Sequence, residues 1–272
     1  MKLNRVIIVF KNPGRVEREN TRFEGSPDFP VEHKKTIDAV RRAVEEMGLA
    51  CDLIERECMH AGLPADLIAT VGGDGTFLIA SQFAGEIPML GINSMPGYSI
   101  GFFCRADIDN VHDVLKEIAS GKLAPKKLQR IEASIDGVPV KNLALNDILF
   151  ARNSPAEMSR YVIKVGGESE HQRSSGIWIS TGAGSSAAIL AAGGVQLDAE
   201  SHELQYRVRE PYAAQMKDYK LLGGLINQDE PFEITPLRDA YIFVDGSCIV
   251  HPVRKGQVLS ARRSKSPIKV FL

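Results

Sequence analysis

The stretch Leu67-Ile68-Ala69-Thr70-Val71-Gly72-Gly73-Asp74-Gly75-Thr76-Phe77-Leu78 limits the folds open to this chain more than any other. An apolar run of the kind that forms a buried strand stops at three glycines in four positions, and a second apolar run, suited to opening a helix, follows. Glycine lets the backbone turn tightly and lets a ligand approach it without meeting a Cβ. Amides exposed at a strand-to-helix turn form a concavity suited to phosphate. A carboxylate set among them, Asp74, repels phosphate unless it works with Mg2+ or takes a proton from an attacking group. The plain alternative is an ordinary Asp-Gly turn.

Residues 5–10, Arg-Val-Ile-Ile-Val-Phe, read as a first buried strand. The polar segment over 11–31 is long for a connection inside a compact domain, which makes it either mobile or functional. Its Lys11, Arg15, Arg18 and Arg22 reach toward a bound anion or are simply solvated. Helical spacing follows over 32–47, with Ile37, Val40, Val44 and Met47 on one face and Gly48 as the stop. Strands are expected at 49–54, 67–71 and 87–92. This order predicts an α/β domain with a mostly parallel sheet over residues 1–104. Ligands of such sheets sit beyond the carboxyl ends of the strands, which puts the 72–75 turn and Gly91-Ile92-Asn93 on one edge.

Beyond one amphipathic helix at 111–120 the period becomes two. Residues 131–135 and 138–140 flank Asp136-Gly137 as a hairpin. Further strands are expected at 143–150, 161–165, 177–180, 204–208, 232–235, 240–244 and 257–261. A chain of 272 residues accommodates this second, β-rich domain, 105–265. The net charge of -1, from 33 basic and 34 acidic residues, does not suit a nucleic-acid backbone as partner. No apolar run approaches the roughly 18–20 residues that span a bilayer, so no membrane partner is expected. The start of the chain has no signal-peptide layout. Cys51, Cys58, Cys104 and Cys248 are scattered, without zinc spacing, and read as reduced thiols in a cytoplasmic protein.

Two further motifs carry polar chemistry. Asn146-Asp147 interrupts the apolar residues around it, either as a solvated strand end or as a pair facing a ligand's hydroxyls. Residues 176–188 read as a strand, a Gly/Ser/Thr turn and a small-residue helix ending at Gly193-Gly194, again presenting amides and hydroxyls. Gly182, Gly184 and Ala187 satisfy the GxGxxG/A dinucleotide pattern, but Asp198 follows Gly184 too closely and the stretch before it makes a poor second strand. No GxxxxGK[S/T] phosphate loop occurs.

Taken together these residues resemble the NAD kinase family. Gly72-Gly73-Asp74-Gly75-Thr76 is similar to its GGDGT signature, Gly91-Ile92-Asn93 to the turn that follows, and Asn146-Asp147 to its Asn-Glu pair with Asp for Glu. Residues 180–188 resemble its adenosine-binding turn, usually TPTGSTAY, without the Pro and with Ala188 for Tyr. Ser174-Ser175-Gly176 stands where the family usually has Gly-Asp-Gly. Arg173-Ser174-Ser175-Gly176 and residues 204–211 look instead like the branch of mitochondrial NAD kinases and plant NADH kinases.

The resemblance implies a two-domain NAD kinase-like fold, with residues 266–272 rejoining the first domain and the nucleotide between the domains. It implies transfer of the ATP γ-phosphoryl group to the 2′-hydroxyl of the adenosine ribose of NAD+ or NADH, with Mg2+ as cofactor. Asp74 would be catalytic; Gly72, Gly73, Gly75, Thr76 and Asn93 would hold ATP phosphates. Asn146, Asp147, Thr181, Ala183, Ser185 and Ser186 would bind NAD(H), with Thr181 and Ser185 lining the adenosine side. Lys11, Arg22, Ser175 and Asp245 are further candidates. The partners implied are NAD(H), ATP and further copies of the chain, as a homodimer or homotetramer. The rivals are a GGDGT-type lipid kinase and a nucleotide sensor that has lost its chemistry.

Overall fold

The computed structural model describes residues 3–12, 29–214, 218–227, 230 and 232–272. The chain forms two compact units, one of residues 1–127 with 268–272, the other of 128–267.

In the first unit, β1 (Arg5–Phe10) leads through α1 (Phe29–Glu46) to β2 (Ala50–Glu55). Then come β3 (Leu67–Gly72), α2 (Asp74–Ser81), β4 (Met89–Asn93), β5 (Cys104–Asp107), α3 (Val111–Ala119) and β6 (Lys126–Leu128). The sheet order is β2-β1-β3-β4, continued by the chain's last strand and β6, with β5 also on β4. The pairings along β2-β1-β3-β4 and from β4 to β5 are parallel. The inner strands β1, β3 and β4 are apolar and buried along nearly their whole length, as strands of a parallel sheet covered on both faces are, whereas β2 and β5 are only partly buried. The helical period of α1 buries Ile37, Val40 and Val44 against β1 and β3, and α3 adds Val114, Leu115 and Ile118 to the same cluster.

The domain boundary expected at residue 104 falls too early. The period of two begins only after the helix at 111–120, and before it β5 still pairs with β4 and α3 packs into the first unit's core. The return of the chain end is observed: Val270 and Phe271 pair in parallel with Met89 and Leu90.

The second unit is two six-stranded sheets. One contains β7 (Ile131–Ile135), β8 (Val138–Pro139), β10 (Ser159–Val165), β11 (Glu168–Ser174), β15 (Phe232–Pro236) and β18 (Leu259–Arg263), in the order β11-β10-β15-β18-β7-β8. The other contains β9 (Asp147–Ala151), β12 (Gly176–Ser180), β13 (Leu204–Arg209), β14 (Gly223–Ile226), β16 (Ala240–Val244) and β17 (Ile249–Val253), in the order β14-β13-β12-β9-β16-β17. Alternate residues of both sheets share one core, where Phe150 meets Tyr161 edge-on at 5.6 Å and Tyr206 meets Phe232 at 5.1 Å. The last strand, β19 (Ile268–Phe271), belongs to the first unit.

Two sequence expectations change here. The strand expected at 143–150 begins only at Asp147, because the amides of Leu145, Asn146 and Asp147 are taken by the Asp245 carboxylate rather than by a neighbouring strand. The small-residue helix after the 182–186 turn is only the four residues Ala188–Ala191 (α4). The strand after it, β13, pairs antiparallel with β12, which excludes the dinucleotide-binding βαβ unit. Strand β11, Glu-Ser-Glu-His-Gln-Arg-Ser, escaped the pattern reading because it is polar along nearly its whole length.

Candidate functional site

Strand β3 ends at Gly72 and α2 begins at Asp74, with Gly73 as its N-cap. Gly72 has φ +150, and a Cβ there would lie 2.7 Å from the Thr76 hydroxyl oxygen, so a side chain would force the turn apart. The amides of Asp74 and Gly75 fall in the first helical turn, where no helical carbonyl precedes them, and the helix dipole adds partial positive charge. They line a cavity of about 360 Å³ with Lys11, His33, Arg56, Thr76, Asn93, Ser94, Tyr98 and Ser99.

Asp74 is held rather than loose. Its Oδ1 accepts a hydrogen bond from the Phe103 amide at 2.9 Å and its Oδ2 one from the Phe102 amide at 3.1 Å. Phe77, three residues further along the same helix face, stacks on the Phe103 ring at 5.0 Å. One helix face thus grips the 102–103 segment by backbone and ring together. The half-buried thiol of Cys104 next to it is pushed up to about 12 by desolvation and then by the Asp74 charge, which keeps it out of thiolate chemistry.

Asn93 lines the cavity, but its side chain organises the following turn: Oδ1 accepts from the Met95 amide and Nδ2 donates to the Ser99 carbonyl, both at 3.0 Å. Lys11 is in the cavity wall and buried. Arg15, Arg18 and Arg22 lie outside the described residues. Sequence reasoning missed His33, Arg56 and Tyr98. Arg56 directly follows β2, and the rule that ligands lie at carboxyl ends of strands was the one signal for it.

A second polar cluster is built within the second unit. The 182–186 turn lies against Asn146 so closely that a Cβ on Gly184 would fall on the Asn146 backbone. The Thr181 hydroxyl donates to the Leu145 carbonyl at 2.6 Å and accepts from the Gly184 amide at 3.0 Å. The Ser185 hydroxyl donates to the Gly182 carbonyl at 2.6 Å and accepts from the Leu197 amide at 2.9 Å. Both residues, expected to line the adenosine side, are buried at 0% and 1% exposure, and their hydroxyls hold the shape of the turn. Ala183 is buried and Ser186 exposed.

Asp147 is 6% exposed and Asn146 half-buried. Asp245, at φ +50, accepts from the Asn146 amide at 2.7 Å and the Leu145 amide at 2.8 Å, and donates its own amide to the Asp147 carbonyl at 3.0 Å. Burial, and then the neighbouring Asp245, push the Asp147 carboxyl up to about 7; burial takes Asp245 to about 6 against the pull of its three amide donors. Ser175 does not join this cluster. It precedes β12, at the opposite end from Ser180, and lines a separate pocket of about 530 Å³ with Trp178, Arg209 and Phe243.

Among the described residues no group of three His, Cys, Asp or Glu side chains assembles to hold a metal, and no helix is long and apolar enough to cross a membrane. The first cavity pairs helix-terminal amides and basic side chains with one fixed carboxylate. That combination suits a phosphate-bearing ligand and a hydroxyl beside it.

Residues 16–123 match the family model described as ATP-NAD kinase N-terminal domain. A probable NADH kinase of Oryza sativa subsp. japonica is 34% identical over 264 residues, covering 88% of this chain and 81% of the relative. The NADH kinase of Arabidopsis thaliana is 32% identical over 265 residues, covering 88% of this chain and 83% of the relative. Among solved structures, an NAD kinase from Archaeoglobus fulgidus in complex with ATP superposes with a TM-score of 0.74 at 20% identity, covering 98% of this chain and 93% of that one. Yeast NADH kinase complexed with NADH superposes with a TM-score of 0.76 at 17% identity, covering 98% and 83%.

Proposed function

The chain belongs to the NAD kinase family, and on that premise we propose that it transfers the γ-phosphoryl group of ATP to the 2′-hydroxyl of the adenosine ribose of NAD+ or NADH, making NADP(H). The observation that carries this reading is the fixed carboxylate at the start of α2. Asp74 stands among amides that suit phosphate, with both oxygens aimed by the 102–103 backbone. In this role Asp74 orients the ribose hydroxyl and accepts its proton. Such a base need not be strong, because in a loose transition state positioning and charge neutralisation carry most of the catalysis. The amides of Gly73, Asp74 and Gly75 hold donor phosphates, while the Thr76 amide closes the turn on the Gly73 carbonyl at 3.1 Å, and Lys11 and Arg56 add positive charge to the same cavity.

A divalent ion would enter this cavity on the donor's phosphates, with Asp74 as the carboxylate at hand. Mg2+ bound there would supply charge neutralisation on those phosphates. Asn146 and Asp147 hydrogen-bond the acceptor nucleotide, while Thr181, Ser185 and Asp245 keep the backbone around them in shape. We extend the proposal to a homodimer or homotetramer acting in the cytoplasm, as the family resemblance implies; light scattering of the purified protein checks the first part and cell fractionation the second.

The test is to incubate the purified protein with Mg-ATP and either NAD+ or NADH and to assay NADP(H). Product that disappears in Asp74→Asn supports the reading, and the ratio of the two rates names the acceptor. Saturable NADP(H) binding without turnover would point to a sensor. Phosphorylation of a dispersed lipid without NADP(H) formation would point to a lipid kinase.

A further inference from the structure

His33 lies on the face of α1 that carries Ile37, Val40 and Val44, a register where an aliphatic residue would pack without cost. It is 0% exposed. A buried imidazole is retained at little cost only if both nitrogens are satisfied, and here both are: Nε2 lies 2.9 Å from the Lys11 carbonyl oxygen and Nδ1 lies 2.8 Å from the Ser94 hydroxyl. A carbonyl can only accept, so Nε2 carries the hydrogen. In the neutral ring Nδ1 is then bare and accepts the Ser94 O–H.

The two partners belong to different edges of the site. In the sheet, β1 and β4 flank β3. Lys11 directly follows β1 and Ser94 directly follows β4, so one ring ties together the two chain ends on either side of the strand that delivers Gly72 to Thr76. The link continues to the turn itself, because the Ser94 amide donates to the Gly72 carbonyl at 3.4 Å. His33, Lys11 and Ser94 all line the cavity.

We propose that His33 is a positioning residue for the phosphate donor. It ties the end of β1 to the turn after β4, so that the walls around Gly72–Thr76 stand in place before the donor arrives; this rests on the reading of that cavity as the donor site. A preorganised wall lowers the ordering cost of binding without itself reacting. The consequence is selective: loss of the tie weakens the donor and spares binding of the acceptor nucleotide, because Asn146 and Asp147 lie in the second unit and Asp74, the one acceptor contact in the first, is held by the Phe102 and Phe103 amides instead.

The test uses the full chain and four variants: His33→Gln, which keeps a donor for the Lys11 carbonyl and loses Ser94; Ser94→Ala; the double variant; and His33→Phe, which fills the space and loses both bonds. Steady-state rates are measured with Mg-ATP and NADH varied in turn, alongside thermal unfolding. The expected result is a rise of about three- to tenfold in the KM for Mg-ATP in each of the first two variants, the size of one net hydrogen bond. The double variant should be no worse than either, because the same bond is removed twice, His33→Phe should be worse than all three, and the KM for NADH should stay unchanged. Lower unfolding temperatures with both KM values unchanged, or additive effects of His33→Gln and Ser94→Ala, would overturn the proposal and leave His33 as core filling. If the unmodified chain makes no NADP(H), the kinase reading fails separately. Calorimetric titration of the same variants with Mg-ATP then decides this one: weakened binding upholds the tie, equal binding sinks it.

Discussion

The Phe103 amide donates a hydrogen bond to Asp74 Oδ1 at 2.9 Å while the Phe103 ring stacks on Phe77, so the carboxylate is aimed by a segment that its own helix holds in place. Asp74→Asn turns one acceptor oxygen into an NH2 group facing a backbone amide and removes the proton-accepting charge. We expect the circular dichroism spectrum to be retained and kcat to fall by about 10²–10⁴-fold, the usual worth of a positioned acid–base group. NADP(H) formation at the original rate in a folded variant would remove Asp74 from the mechanism.

Asp147 gives the second unit a pH dependence of definite sign. Its carboxyl is raised to about 7, by burial first and then by Asp245, against about 4 in an unfolded chain. Between those values the folded state binds more protons than the unfolded state, so the stability contributed by this group is full below about pH 4 and is lost as pH rises toward 7. Asp147→Asn removes the group that ionises. The unfolding temperature of Asp147→Asn relative to the unmodified chain should therefore be higher at pH 8 than at pH 5. A difference that does not change with pH would contradict the assignment.

The hydroxyls of Thr181 and Ser185 hold the turn together. Thr181→Val leaves the buried Gly184 amide without its acceptor and the Leu145 carbonyl without its donor, at a cost of about 1–3 kcal/mol. Gly184→Ala drives a methyl group into the Asn146 backbone and should cost about as much or more. Urea unfolding measures both, and the exposed Ser186, changed to Ala, serves as the control, expected within about 0.5 kcal/mol of the unmodified chain.

Deletion of residues 268–272 should unfold the first unit although it lies almost 200 residues from the Gly72–Thr76 turn. Ile268 and Val270 are fully buried and Phe271 is 1% exposed, and β19 pairs with β4. Burying three such side chains is worth about 1.5–3 kcal/mol each, a large part of the stability of an ordinary domain. Loss of cooperative unfolding and of ATP binding in the shortened chain is the expected outcome; an unchanged unfolding curve would count against the strand's role.

Local features carried much of this protein into view from its residues alone. The apolar run of 67–71 broken by Gly72-Gly73-Asp74-Gly75 marked the strand-to-helix turn, because a buried strand and a tight glycine turn each leave a short-range pattern. Ile37, Val40 and Val44 recur at helical spacing and are buried together. Asp136-Gly137 was read as a hairpin turn, and both residues take positive φ, at 51° and 76°. Only the tertiary structure decided who holds whom. Asp74 meets Phe102 and Phe103, His33 joins Lys11 to Ser94, and Asp245 gathers amides about 100 residues away. It also spent the hydroxyls of Thr181 and Ser185, which look like ligand contacts in the sequence, on the turn itself. Such pairs have no period to read. Their partners are set by strand order and by the rule that every buried polar group must find one, and that is settled only when the sheets have formed.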